Sequence, residues 1–524
     1  LLTAKCGTLV PILCDELIPN TKVHLASAIS ACLPPLATDT FMNVNLKVEA
    51  FFCPTRLLYG GFEAWLTKEP LRNLSTNTPV YAKIPVLNRP AIEETETEIP
   101  LLYRSGTLSD YLGIKHPNII TPFRSSMKYN IFPFLAYHKI WDDMYRNTNI
   151  QSSCFCRPLM SADTQQIRVY NMPYITFDDS VDDSDPVFTL GAQLADGKYL
   201  GELRQRNFGF DYFTGAFNSA QRGEAQKVTI DSDDNSFTIA ALRAANSLQQ
   251  FAERNQMAGY RLQDYVRANY GADLSNGVAQ RVLYLGSGEI PVYSKGIYQT
   301  ASSGTVEPDE VNNPFSVSSD TDYQPVLGAK FGDASATGKI SLIDNFVAEE
   351  PGYLMVLASL VPKVTYATGI SKMMLRYNEQ NSQTDLATPL LQNVGNEPIV
   401  NAELTGNVDT RVFGFTERFA SFKTMPDELH GLVRDGESLQ AFSLQRSLDG
   451  NVEISDDFLK IPADYMDQVT VVRGTISNYG VWIDCFMDYK VSMPLAQYAI
   501  PSLQDPAYEH GVDVAIELNG SKIG

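Results

Sequence analysis

The residues best equipped to do chemistry are scattered, and their spacing fits no catalytic pattern. The nearest approach to a phosphate loop is Gly332-Asp333-Ala334-Ser335-Ala336-Thr337-Gly338-Lys339-Ile340. It puts five residues between its glycines where that loop has four, and Ile340 stands where a hydroxyl must hold magnesium. Gly286-Ser287-Gly288 lacks the spacing of a nucleophile elbow and reads as a turn. Asp231-Ser232-Asp233-Asp234-Asn235 begins like a calcium loop. Ser236 replaces the glycine needed for its sharp turn and Leu242 the bidentate acid, so the run reads as a helix cap. Asp179, Asp182 and Asp183, in an acidic run from Asp178 to Asp185, are candidate oxygen ligands for a divalent cation; the competing reading is a solvated surface loop. Five His, at 24, 116, 138, 430 and 510, share no H-x-x-x-H or H-x-H spacing. The seven Cys are odd in number and without a C-x-x-C pair, which points to unlinked thiols in a reducing compartment. No catalytic residue, metal centre or cofactor is expected.

One basic-aromatic stretch stands apart: Arg204-Gln205-Arg206-Asn207-Phe208-Gly209-Phe210-Asp211-Tyr212-Phe213. Guanidinium groups for phosphate and aromatic faces for stacking are what single-stranded nucleic acid contacts use, which makes Arg204, Arg206 and Phe208 candidates for genome contact. The alternative is that the aromatics are core or interface anchors and the two Arg satisfy nearby carboxylates.

Forty-one Lys and Arg face 61 Asp and Glu, a net charge of −20 over 524 residues. A protein that wraps nucleic acid by charge alone carries a basic arm or stripe. Here the first 60 residues hold only Lys5, Lys22, Lys47 and Arg56 as cations. Hydrophobic residues make up 44%, enough for a sizeable core and too many for a mainly disordered chain. Apolar runs are too short for a membrane span. The opening Leu1-Leu2-Thr3-Ala4-Lys5 has neither an initiator Met nor a signal-peptide layout, and residues are expected upstream of it.

Two long half-buried strands must frame the fold. From Phe41 to Phe52 the even positions are apolar, and Val481 to Met493 alternates in the same way until Pro494. Tyr353 to Val361 suits a central strand, and Val412 to Lys423 has strand spacing. Helices are expected over Leu135 to Arg146, over an apolar stripe at Ile239, Leu242, Ala245, Leu248, Phe251 and Ala252, over Leu262 to Asn269, and for a turn or two at Phe62 to Leu66. Residues 178–196 and 300–340 read as surface insertions.

Several segments, in order, resemble the major capsid protein of the microviruses, small single-stranded DNA phages, and especially the gokushovirus branch. They include Leu9-Val10-Pro11-Ile12 with Asp15-Glu16-Leu17-Ile18-Pro19, and Phe51-Phe52 leading to Pro54-Thr55-Arg56-Leu57. Phe132-Pro133-Phe134-Leu135-Ala136-Tyr137 with Ile140-Trp141 and Tyr145-Arg146-Asn147 follows. Asp211-Tyr212-Phe213-Thr214 through Gln221-Arg222-Gly223 is the most specific block. Tyr284-Leu285-Gly286, Phe413 to Gly431, and Met493-Pro494-Leu495 complete the series. Asn218-Ser219-Ala220 departs from the family's Pro-Trp-Pro-like run.

The resemblance implies a mainly β protein: a single eight-stranded antiparallel jelly roll over residues 1–524, with long inter-strand insertions containing a few helices. Residues 150–345 would then be a mostly loop and helical insertion forming much of the outer surface. It further implies a non-enzymatic virion protein, assembled in the bacterial host cytoplasm into a T=1 icosahedral capsid around circular single-stranded DNA. Its implied partners are identical subunits, the DNA genome, a small basic DNA-binding protein, a minor or pilot protein and a host surface receptor. The alternative from another class is a secreted β-rich glycoside hydrolase, which needs a deep cleft with two convergent carboxylates. A carbohydrate-binding protein is a third reading, disfavoured by only three Trp, at 65, 141 and 482.

Overall fold

The computed structural model of the protein describes residues 1–38, 40–41, 43–59, 62–68, 70–72, 79–81, 83–89, 105–114, 127–155, 187–223, 239–259, 261–275, 280–298, 330–375, 395–406, 411–470, 480–494 and 521–522. The principal strands are β1 (Leu2–Ala4), β2 (Val10–Leu17), β3 (Lys22–Cys32), β4 (Val44–Pro54), β5 (Leu283–Pro291), β6 (Tyr293–Tyr298), β7 (Lys330–Val347), β8 (Gly352–Pro362), β9 (Glu397–Val400), β10 (Val412–Thr416), β11 (Val481–Ser492) and β12 (Ser521–Lys522). The helices used below are α1 (Phe132–Ile140), α2 (Ile239–Ala258) and α3 (Leu262–Tyr270).

Two antiparallel sheets carry the architecture. One has the order β1-β11-β3-β7-β6, with β12 beside the far end of β11; the other has the order β5-β4-β8-β2. Leu25, Ile29 and Ile483 of the first sheet share one core with Leu46, Val48, Leu354 and Val356 of the second. The opposite face of the four-stranded sheet is buried too. Phe51, Cys53, Tyr353, Met355 and Leu357 pack there against Phe134, Leu135, Tyr137 and Ile140 of α1. That second cover explains why β8 reads as an apolar run broken only at Ser359: a strand buried on both faces has no polar side.

The mainly β character, the antiparallel sheets and the few helices agree with expectation. The sheets stay open instead of closing into a barrel. Each ends on edge strands, and the chain crosses repeatedly between them, among other places from β1 to β2 through residues 5–9 and from β5 to β6 through Val292. β11 behaves as the alternation predicts, whereas β4, expected to be half-buried, is buried on both faces from Val48 onward because α1 covers its outer side. In β11, Ile483 is buried while Trp482 and Phe486 face out.

Four expectations are corrected. Residues 330–340 belong to the 18-residue β7, so the Gly332–Ile340 stretch is laddered between β3 and β6 and forms no phosphate loop. Its inward positions include the small residues Ala334 and Ala336, which weakens the period-two signal. Gly286-Ser287-Gly288 lies inside β5, not in a turn, and residues 283–298 and 330–347 supply strands to both sheets rather than surface insertion. Strand structure after Val412 stops at Thr416, and Ala420–Lys423 is a helical turn. The first helix starts at Phe132, three residues before its expected start, and Trp141–Tyr145 winds as a π-turn.

All six described Cys are free thiols, and Cys156 lies outside the described residues. Burial pushes Cys14 up to about 12 and Cys485 up to about 11, so neither is a reactive thiolate near neutrality.

The glycines of β5 mark where the two sheets approach most closely. A Cβ on Gly286 would lie 2.0 Å from the Leu342 carbonyl oxygen, and one on Gly288 2.0 Å from Ile340 Cγ2. Gly286→Val is therefore expected to lower unfolding free energy by about 1–3 kcal/mol, read as a lower urea midpoint. Gly209→Ala, with nothing within 4 Å of its Cβ, should leave the midpoint nearly unchanged.

Candidate functional site

The segment from Arg204 to Phe217 threads between the two cores and is tied on both sides by backbone hydrogen bonds. Leu9 N donates to Arg204 O at 3.0 Å, and Arg206 N donates to Gly7 O at 2.7 Å. Phe208 N donates to Leu459 O at 2.9 Å, and Ile461 N to Arg206 O at 3.0 Å. The segment therefore stitches the amino-terminal loop to residues 459–461.

Its two guanidinium groups are occupied. Arg204, only 4% exposed, pairs with Asp196, donates from Nε to His138 Nδ1 at 2.9 Å, and lies over the Trp141 ring at 4.6 Å. Arg206 pairs with Glu49 of β4, donates to Ser359 Oγ of β8 at 3.3 Å, and lies 5.1 Å from the Tyr145 ring centre. Tyr145 Oη donates to the same Glu49 carboxylate at 2.6 Å. Phe208 is buried edge-on against Tyr465, with the Arg446 guanidinium over its ring. The sequence offers these three residues as candidates for genome contact, beside the reading in which they serve the interior. The structure gives each a partner within the subunit and turns none of the charge outward. The reading in which the Arg satisfy carboxylates matches this geometry. Asp179, Asp182 and Asp183 lie outside the described residues, and among the described residues no cluster of three metal-ligating side chains occurs.

The Asp211-Tyr212-Phe213-Thr214 block is a self-capped turn. Asp211 Oδ1 accepts from Phe213 N at 2.9 Å and from Thr214 N at 2.7 Å, while Thr214 Oγ1 donates to Gly209 O at 2.8 Å. Tyr366 Oη donates to the free Asp211 oxygen, and Tyr212 Oη to buried Glu403. A second knot caps the π-turn. Arg261 donates to the carbonyls of Asp142 and Asp143, Arg281 to that of Asp143, and Asp142 pairs with Arg146 at 2.8 Å. Both blocks do structural work that their residue types alone leave open.

A pair of acids converges at Glu397 and Glu403, but their side chains are 1% and 3% exposed and share Lys372, at 2.7 and 3.8 Å. Burial raises the Glu403 carboxyl above its ordinary range.

The surface tells more. Phe210 is 91% exposed and Phe486 74%, and Phe41 and Met425 are equally bare. Phe486 was legible as outward by its parity in β11; Phe210 sits beside Gly209 with no pattern to announce it. Such bare aromatic and Met side chains are available to a partner, as interface anchors are.

The comparisons decide what such a surface belongs to. A family model described as "Capsid protein (F protein)" matches residues 1–233 and 156–503. The chain belongs to this phage capsid protein family. It is 22% identical to capsid protein VP1 of Chlamydia phage 1 over 95% of this chain and 93% of that protein. It is 24% identical to capsid protein VP1 of Bdellovibrio phage phiMH2K with the same coverage, and 23% identical to that of Spiroplasma virus 4 over 76% of this chain and 77% of the relative. The microvirus resemblance read from the motifs is thereby confirmed, and the glycoside hydrolase and carbohydrate-binding alternatives gain no support. For this capsid protein the described helices include none long and apolar enough to cross a membrane.

Two measurements check the knots. Burial, and then the Arg204 charge, hold His138 well below its ordinary 6.5. Below pH 6.5 the unfolded chain takes up a proton that the folded one refuses, so stability falls as pH drops. His138→Gln should flatten urea-midpoint profiles between pH 6.5 and 5 by up to about 1.4 kcal/mol per pH unit. Arg206→Leu removes the nearer cation from Glu49, leaving Lys47 at 3.8 Å, and should cost about 3 kcal/mol, with Glu49→Gln in the same chain recovering part of it.

Proposed function

We propose that this protein assembles with copies of itself into a small T=1 icosahedral shell that encloses a circular single-stranded DNA genome in the virion. Family membership across nearly the whole chain carries this reading, and the structural role in a viral capsid rests on it directly. The open antiparallel sheets with strands contributed from both ends of the chain are compatible with an eight-stranded jelly-roll wedge, whose loops form the outer surface and recognise neighbours. A closed shell needs heterologous contacts whose rotations close, and exposed Phe210, Phe41 and Phe486 are suited to anchor them. Assembly takes place in the bacterial host cytoplasm.

Charge shapes the genome side of the proposal. Copies of net charge −20 repel DNA, and Arg204 and Arg206 are already neutralised within the subunit. Neutralisation therefore falls to a small basic DNA-binding protein, polyamines or divalent ions. A minor or pilot protein and a host surface receptor complete the partners.

Expression in a bacterial host, followed by particle mass measurement and negative-stain imaging, tests the reading. Uniform small icosahedral particles holding nuclease-protected single-stranded DNA are expected when the genome is co-expressed. A protein that stays monomeric across salt and pH defeats it.

A further inference from the structure

α2 is a 20-residue helix that buries only Ala252, Asn255 and Gln256, all in its carboxy-terminal half. That half is anchored. Arg222 donates to the carbonyl of Gly259 at 2.8 Å, Asn269 to Asn255 at 2.8 Å, and Arg261 to the π-turn carbonyls. The amino-terminal half leaves Ile239, Leu242 and Leu248 exposed, and Phe251 beyond them lies edge-on to Tyr265. The apolar stripe that the sequence shows is real, and it stays largely exposed among the described residues. An unpacked helix of this length is marginal in water, so its stability calls for a partner surface.

The charge pattern selects the partner. Residues 239–252 carry a single charge, Arg243, the depletion that marks the core of an interface rather than a solvated face. Of the four Arg in residues 239–271, Arg261 is held by the π-turn carbonyls and Arg267 pairs with Asp273, which leaves Arg243 and Arg254 as the cations this helix offers on a chain whose net charge is −20. Arg243 and Arg254 are exposed, and no carboxylate pairs with either among the described residues. An apolar, mildly basic arm on a strongly acidic molecule is complementary to another copy of that molecule. Aliphatic Ile239, Leu242 and Leu248 offer nothing to a phosphate backbone.

We propose that α2 is an intersubunit element, which lays Ile239, Leu242, Leu248 and Phe251 on a second copy of this chain with Arg243 and Arg254 toward that copy's acidic surface. The proposal rests on the self-assembly reading above. Hydrogen exchange of wild-type shells assembled without DNA, compared with dissociated subunits, tests it directly. Amides of 239–251 should exchange at least ten-fold more slowly in the shell. Wild-type protein that forms no shells overturns the assembly reading. Shells whose 239–251 amides stay fast, or slow only after single-stranded DNA is added, overturn this inference alone.

Variants give a second arm. L248D/F251D should cut shell yield at least ten-fold while the melting temperature of the unassembled subunit is unchanged. R243E/R254E, altered only at exposed positions, should cut yield ten-fold at low salt and regain it at high salt as repulsion is screened. Wild-type yield from both variants overturns the inference.

Discussion

Glu49 lies in the middle of β4, a strand buried on both faces, and its charge must be compensated there. The compensation comes chiefly from Arg206 and Tyr145, on two segments also joined by the Arg204 contacts to His138 and Trp141, with Lys47 of the same strand 3.8 Å away. An ionised carboxylate in such a place is tolerable only when paired and hydrogen-bonded. The requirement docks the 204–217 segment onto the four-stranded sheet, and with it the π-turn after α1. Much of the second core follows from that docking. Arg204, Asp196 and His138 repeat the arrangement one step outward, with the imidazole kept neutral between Arg204 and the Leu200 carbonyl.

What the sequence discloses depends on side-chain size and on who supplies the partner. β4 and β11 are legible because large apolar residues alternate with polar ones, and β8 because only Ser359 interrupts its apolar run. β7 is hidden because Ala and Gly occupy many of its inward positions, where the sheets approach too closely for larger groups. The two Arg are visible as cations, yet their acids are eight and 157 residues away, and no periodicity links them. The capsid motifs are legible as motifs. That Asp211-Tyr212-Phe213-Thr214 is a self-capped turn, and that Arg261 and Arg281 cap a π-turn, requires the three-dimensional arrangement.

The subunit pairs its buried acids and leaves large apolar groups on its exterior. Its buried acids have cationic or hydroxyl partners, whereas Phe210, Phe486 and the amino-terminal half of α2 expose apolar groups to water. That contrast is the expected division in a member of a capsid family. Rigid, charge-knotted centres hold shape, and weak repeated contacts at the surface add up over many copies.

The position of β11 has a bearing on synthesis. It lies between β1 and β3, hydrogen-bonded to both, although some 450 residues separate it from β3 along the chain. A nascent polypeptide emerging from the ribosome carries β1 and β3 with the gap between them unfilled until residue 492 has been made. A product cut short by interrupted translation therefore lacks an interior strand, and its β1 and β3 lose the ladder that joins them.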